Sequence, residues 1–267
     1  MVSSGGRVTC SCGRNFGNDV AMQQHQRDSP LHSGADRGSA EITSNQSLGK
    51  KQYANFRDKT FFPDFADLPN EDDIDLDFYY STDGFRYTPQ KSWCFMAEIV
   101  SIENFVRLRL IVKSGRTNVP IAFYTDDRGA EFASQARVGY TVAVMYANQH
   151  PFLDLTTGIR VEAPITVQII PMKLAELLAL SDRVQKYSSQ GSEMTCHSCD
   201  ERKPSMQRCG RCSMFWYCDK NCQTAGWHSK GHKNECKIIK SCGLRAMFSL
   251  DWNKFDGFLG FPLPGPE

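Results

Sequence analysis

From Trp93 onward, apolar residues recur in runs of strand length: WCFMAEIVSI (93–102), FVRLRLIVK (105–113), NVPIAFYT (118–125), GYTVAVMYA (139–147) and GIRVEAPITVQII (158–170). In the second run Val106, Leu108, Leu110 and Val112 alternate with Arg107, Arg109, Ile111 and Lys113, the two-residue period of a strand with one buried face. The SGRTN segment after Lys113 predicts a hairpin turn, and AEFASQAR (130–137) a short helix between the third and fourth strands. Pro171 opens PMKLAELLALSDRVQKY, where Leu174, Leu177, Leu178 and Val184 recur at roughly helical spacing. The proline sits where a first helical turn tolerates it. That helix is expected to pack against the strands.

Five or six strands with one helix after the third resemble an OB-like small barrel. Residues 51–187 are therefore read as an OB-like β-barrel domain with a C-terminal helix. On that reading Phe95, Phe105, Phe123, Tyr124 and Tyr146 are barrel core, and Cys94, among apolar neighbours, is an inert core thiol. Residues 51–92 add aromatics and an acidic run, Glu71, Asp72, Asp73, Asp75 and Asp77, expected on a solvated loop. Residues 33–50, rich in Ser, Gly and Asn, form a flexible linker. Residues 243–267 form an aromatic and proline-rich tail, with Trp252, Phe255 and Phe258 docked on the barrel or, alternatively, with FPLPGPE in a peptide groove.

Composition changes this picture little. A net charge of +1 gives no chain-wide field for nucleic acid or an anionic membrane. Between residues 51 and 170, 12 Lys or Arg face 16 Asp or Glu, which argues against a barrel built to hold single-stranded nucleic acid. No apolar stretch approaches the roughly 18 residues that span a bilayer, and MVSSGGRVTC lacks a signal-peptide core. An intracellular protein with no membrane partner is expected.

Cysteine usage does change it. Of 11 cysteines, seven lie between Cys196 and Cys236, interleaved with histidine, a clustering that thiolates on zinc explain better than disulfides. In order, the ligands are Cys196, Cys199, Cys209, Cys212, Cys218, Cys222, His232 and Cys236, four pairs spaced CxxC, CxxC, CxxxC and HxxxC. Eight ligands fill two tetrahedral sites, and both sequential and interleaved assignments satisfy the spacing. With every position taken by protein, neither ion keeps the open place that a catalytic zinc needs.

The run CHSCDERKPSMQRCGRCSMFWYCDKNCQTAGWHSKGHKNEC (196–236) resembles the MYND zinc-finger family in ligand order, in Tyr217 before Cys218, and in Gln223 and Trp227. The resemblance implies interleaved, cross-braced pairing: one Zn2+ on Cys196, Cys199, Cys218 and Cys222, the other on Cys209, Cys212, His232 and Cys236. His228 is then a surface histidine. It further implies docking of short proline-containing peptides, with Gln223 and Trp227 lining the groove; Gly210 stands where some peptide-binding relatives carry a hydroxyl.

An N-terminal unit, residues 7–32, resembles a C2H2 finger from Cys12 onward. Cys10, Cys12, His25 and His32 are its ligands for a third zinc, and Phe16 and Met22 its small core. Its gaps of one residue between cysteines and six between histidines depart from the usual spacing. The stretch from Trp93 to Val184, with FYTDDRG and LDLTTGIRVE, is similar to an uncharacterised fungal domain found joined to MYND fingers.

The expected whole is a multi-domain α+β chain: a small OB-like barrel core, a helix, a two-zinc cross-braced MYND finger, and a small N-terminal C2H2-like finger. No cofactor motif of the SET methyltransferases, phosphate loop, GxSxG elbow or HExxH helix occurs, and no nucleophile is paired with His150 and Asp154. The function expected is a zinc-binding protein-interaction adaptor, with transcriptional regulation within that reading. The alternative is a nucleic-acid-binding regulator using the N-terminal finger or the barrel.

Overall fold

The computed structural model describes residues 53–188 and 193–265, with the backbone of a short hairpin in which Val8–Thr9 pairs antiparallel with Asn15–Phe16. Residues 1–49 and 50–267 form two compact units. In the first, Cys10, Cys12, His25 and His32 lie outside the described residues.

The second unit is mixed α/β with a sheet-rich core. Its main strands are β1 (Cys94–Asn104), β2 (Leu108–Ser114), β3 (Thr117–Phe123), β4 (Thr141–Met145), β5 (Thr157–Val161) and β6 (Val167–Ile170), with helix α1 (Ala130–Gln135) between β3 and β4. They pair in the order β6-β4-β1-β2-β3-β5, and a two-residue strand, His150–Pro151, flanks β5. All neighbours are antiparallel except β3 and β5, which run parallel with Ile121 opposite Ile159. Only residues 162–166 separate β5 from β6, so one stretch of chain joins the two ends of the ladder. Strand β1 serves two neighbours, β4 through Cys94–Glu98 and β2 through Glu98–Asn104, and a register shift between Ile99 and Ser101 marks its bend.

The expected turn and helix fall where the sequence put them: Gly115 and Arg116 close the β2–β3 hairpin, Gly115 at φ 58°. The FYTDDRG segment builds the entry to α1. Asp127 accepts hydrogen bonds from the Thr125 hydroxyl and from the N–H groups of Glu131 and Gly129, which hold its carboxyl below the usual range. Gly129 has φ 83°, and a Cβ there would lie 2.7 Å from that of Leu108 and 2.8 Å from that of Phe123; only glycine fits.

Alternation along β1 feeds two cores. Phe95, Ala97 and Ile99 point into one core with Leu108, Leu110, Val112, Ile121 and Phe123. Cys94 and Met96 point outward, with Met145 and Ile170, into a second core. Burial on both faces is why WCFMA (93–97) reads as an unbroken apolar run. Burial also pushes the Cys94 thiol well above its ordinary pKa.

Several expectations need correction. Val106 is exposed and precedes β2, so three of its four predicted inward residues hold. Phe105 is fully exposed and Tyr124 39% exposed, while Phe95 and Phe123 are wholly buried and Tyr146 is half-buried; Phe105 and Tyr124 are surface aromatics. The helix after the strands, α2 (Leu174–Tyr187), starts three residues beyond Pro171 and buries Leu177, Leu180, Ser181, Val184 and Tyr187. Leu174 and Leu178 are only partly covered.

Residues 53–62 lie on α2: the Phe56 N–H donates to Ser181 Oγ (3.0 Å), and Arg57 pairs with Asp182. The acidic run is exposed apart from half-buried Asp75. In the tail, Trp252 packs on Phe62, and Phe255 and Phe258 meet Tyr146 edge-on. The Phe261 N–H donates to Ile165 O, and Leu263 is buried. The tail thus docks on the sheet-rich core.

Candidate metal centre

Two CxxC knuckles and two helices build the site. Cys196 and Cys199 follow strand Met194–Thr195, which pairs with Arg202–Lys203. Cys209 and Cys212 lie between Gln207–Arg208 and Trp216–Tyr217, also paired. Each knuckle closes alike: the N–H of Asp200 donates to Cys196 O (3.0 Å) and that of Ser213 to Cys209 O (2.9 Å). Asp200 and Ser213 take the left-handed conformation, φ 62° and 57°, which turns each loop back under its sulfurs.

Helix α3 (Lys220–His228) carries Cys222 in its first turn, where the Asp219 carboxylate caps the helix by accepting from the Cys222 N–H (2.8 Å). Cys218 sits just ahead of that cap. Helix α4 (His232–Ser241) carries His232 and Cys236 one turn apart on one buried face. Gly226 lets α3 lie on Tyr217, since a Cβ there would come within 2.6 Å of that ring; this contact gives Tyr217 before Cys218 its structural role.

Two ligand clusters result. Cys196, Cys199, Cys218 and Cys222 form one, and Cys209, Cys212, His232 and Cys236 the other, with the ligand atoms of each within 4.8 Å of one another. Zinc at about 2.3 Å from sulfur and about 2.0–2.1 Å from nitrogen requires tetrahedral edges of about 3.8 Å for S···S and about 3.5–3.6 Å for S···N. The sulfurs of Cys199 and Cys218 are 3.6 Å apart, those of Cys199 and Cys222 3.9 Å, and those of Cys209 and Cys236 3.9 Å. His232 Nε2 is 3.3 Å from Cys209 Sγ and 3.6 Å from Cys212 Sγ. These contacts are edges of coordination tetrahedra, not thiol hydrogen bonds, and both clusters fit Zn2+. Burial opposes ionisation of Cys196, but N–H groups of Cys199, Cys218 and Ser198 aimed at its sulfur bring its pKa to about 7, favouring the thiolate that zinc needs.

The residues from Cys196 to Cys236 match the family model for the MYND finger. This segment is a MYND finger. It covers a small part of the chain, and similarity to curated proteins centres on the same region. Histone-lysine N-methyltransferase Smyd1 of Mus musculus is 46% identical over 48 residues, 18% of this chain and 9% of that protein. Histone-lysine N-methyltransferase SMYD3 of Homo sapiens is 36% identical over 75 residues, 28% and 17% respectively. SET domain and MYND-type zinc finger protein 6 of Schizosaccharomyces pombe is 36% identical over 97 residues, 33% and 18%. The chain thus spans less than a fifth of each of these relatives. Among solved structures, a chain of the S. pombe Stn1-ten1 complex overlays 46% of this chain and 95% of itself at 13% identity and TM-score 0.28, a likeness too slight to bear on the fold.

The MYND finger is not a separate bead. Its Cys196, Phe215 and Tyr217 lie in the same buried cluster as Met96 of β1, Leu177, Leu180 and Val184 of α2, Ile239 of α4, and Met247 and Phe248 of α5 (Leu244–Ser249). The Tyr187 hydroxyl donates to Asp200 (2.7 Å), and Lys186 pairs with the same carboxylate. Arg183 of α2 pairs with Glu235 of α4, 93% of whose area is buried at 7% exposure. Burial alone would raise the Glu235 pKa; His232 and Arg183 outweigh it and hold the carboxyl below its usual value. Glu235 Oε2 faces His232 Nδ1 at 3.9 Å, the place of a carboxylate that orients a zinc-bound imidazole. His197, packed among Tyr187, Phe215 and Tyr217, is pushed down to about 4 by burial and by neighbouring His232, and stays neutral. His228 is exposed and outside both clusters. Sequence reasoning missed Arg183, Glu235 and His197; only the adjacency of His197 to Cys196 offered a signal.

Gln223 and Trp227, one turn apart on α3, both line a cleft of about 490 Å³ with Gly210, Arg211 and Lys220. Trp227 and His232 pack with their ring planes 74° apart and centroids 5.7 Å apart, so the indole both supports the metal centre and borders the cleft.

Proposed function

We propose that this chain is a zinc-dependent protein-interaction adaptor, intracellular and not an enzyme, whose MYND finger docks proline-containing peptides. The observation that carries the reading is the shared cleft of Gln223 and Trp227; an indole face suits a proline ring, and a side-chain amide can hydrogen-bond an extended backbone. Both metal sites are filled by four protein ligands, which supports structural ions and gives the chain no metal-bound water to use as a reagent. Methyl transfer from S-adenosylmethionine to histone peptides should be absent.

An array of proline-containing peptides probed with the zinc-loaded full chain tests the docking. Binding that Trp227→Ala abolishes, with both MYND zincs retained, supports it; binding indifferent to Trp227 sinks it. A third zinc on Cys10, Cys12, His25 and His32 belongs to the same reading. Elemental analysis should then show about three zinc ions per chain, falling by one in the Cys10→Ser, Cys12→Ser variant.

One observation favours a second reading, nucleic-acid binding by an OB-like barrel. The Arg107 guanidinium lies 3.7 Å over the Tyr124 ring, with Arg160 at 4.5 Å, and Tyr124 is nearly parallel to Phe152. They line a cleft of about 640 Å³ beside exposed Phe105 and Leu153. Cationic and aromatic groups so arranged suit stacked bases. Arg109 and Arg160 are already paired with Asp154 and Glu162, which weakens the field. Titration with a labelled oligothymidylate at low salt decides it; a flat response removes this reading.

A further inference from the structure

We infer that the docked peptide is acidic beyond its proline-containing segment, and that its carboxylates enter a second cleft along α4; this rests on the docking reading above. The second cleft, about 520 Å³, is lined by Arg211 and Trp227, which also border the first, and by Lys233, Lys237 and Lys240 of α4. A chain crossing Trp227 therefore passes from one cleft directly into the other. Neither lining contains an acidic side chain.

The positive charge there is uncompensated. Between Cys196 and Ser249 ten Lys or Arg stand against four Asp or Glu, and all four acids are engaged elsewhere. Asp200 takes Lys186 and Tyr187, Glu201 pairs with Lys203, Asp219 caps α3, and Glu235 is buried against Arg183. Among the described residues, Arg211, Lys220, Lys233, Lys237 and Lys240 make no ion pair. Lys233, Lys237 and Lys240 are spaced i, i+4, i+7 and all exposed, a row about 10 Å long. An extended peptide covers that length in about three residues, so a short acidic run reaches all three ammonium groups.

A peptide fits better than a nucleic acid for two reasons. The entry cleft presents an indole and a side-chain amide, which suit a polypeptide backbone. The barrel, in the same compact unit, carries 12 basic against 16 acidic residues between positions 51 and 170 and repels a long polyphosphate.

The test uses two fluorescein-labelled proline-containing peptides, identical except for a run of Glu in one and Gln in the other, titrated into the zinc-loaded full chain by anisotropy. The Glu peptide should bind about tenfold tighter at low salt, the sum expected of a few exposed ion pairs. Half-molar salt should erase the difference. The variant Lys233→Gln/Lys237→Gln/Lys240→Gln should bind both peptides as the parent binds the Gln peptide, with zinc content and melting unchanged because all three side chains are solvent-facing. Equal affinity of the two peptides overturns the inference and leaves docking intact; failure of both to bind overturns docking and this inference with it. An oligothymidylate of equal charge that displaces the Glu peptide at matching concentration, with the same dependence on the three lysines, assigns the cleft to phosphate and also overturns the inference.

Discussion

Arg183→Ala tests whether helix α2 is part of the metal centre's support. Arg183 reaches from α2 to Glu235, which in turn faces the ring of the zinc ligand His232. Removing one partner of a fully buried ion pair costs about 3–5 kcal/mol, whereas exposed pairs are worth about 1 kcal/mol or less. Glu235 is buried but the Arg183 side chain is 38% exposed, so water takes up part of the loss and about 2 kcal/mol remains. In a unit of this size each kcal/mol moves the melting temperature by about 2–4 °C, giving a drop of about 4–8 °C. Metal release to a colorimetric chelator supplies a second readout. The phase from the buried Cys209, Cys212, His232, Cys236 site should quicken, while that from Cys196, Cys199, Cys218 and Cys222 keeps its rate. Lys186→Ala, which removes the solvent-exposed pair with Asp200, is the control and should change little. Unchanged melting and unchanged release from the buried site in Arg183→Ala would refute the idea that α2 braces the centre.

Other perturbations follow from the same contacts. Leu180→Ala, in the core shared by the main sheet and the MYND finger, should cost about 2–5 kcal/mol, and urea unfolding should show a sheet probe and a finger probe moving in one shared transition. Gly129→Ala forces a Cβ against Leu108 and Phe123 at φ 83° and should destabilise by about 1–3 kcal/mol; equal stability in chemical denaturation would contradict the packing described. Asp219→Ala removes the α3 cap at Cys222 and should cost about 1 kcal/mol, with zinc affinity falling first at the partly exposed site. Chelation of both ions should lower the melting of the whole second unit, read by the loss of strand circular dichroism as well as by finger signals, because metal binding contributes folding free energy.

Much of this was legible in the chain, for identifiable reasons. Zinc ligands are restricted to a few residue types at fixed spacings, so all eight in the MYND segment could be named, and the interleaving implied by family resemblance is the grouping the structure shows. Strand period and turn chemistry placed the β2–β3 hairpin and α1. What stayed hidden depends on long-range closure. Phe105 and Tyr124 sit in apolar runs with the look of core, yet which face a residue presents is set by where the strand begins and how the sheet bends. Likewise Arg183 and Glu235 are 52 positions apart, and no local pattern links them. The helix α2 was found, but choosing Leu180 over Leu178 as its buried face required knowing that the finger covers it.

The stacking of Phe56 on Phe248, ring centroids 4.2 Å apart with planes 6° from parallel, sets a schedule for synthesis. The segment around Phe56 emerges from the ribosome long before its partner, and the Ala54 N–H finds Phe248 O only when that late helix has been made. At about 5–20 residues per second, the roughly 190 intervening residues take on the order of 10–40 seconds. The outer face of β1 waits through most of that interval and the apolar side of α2 through about its last third, nascent surfaces open to chaperones until α5 closes over them.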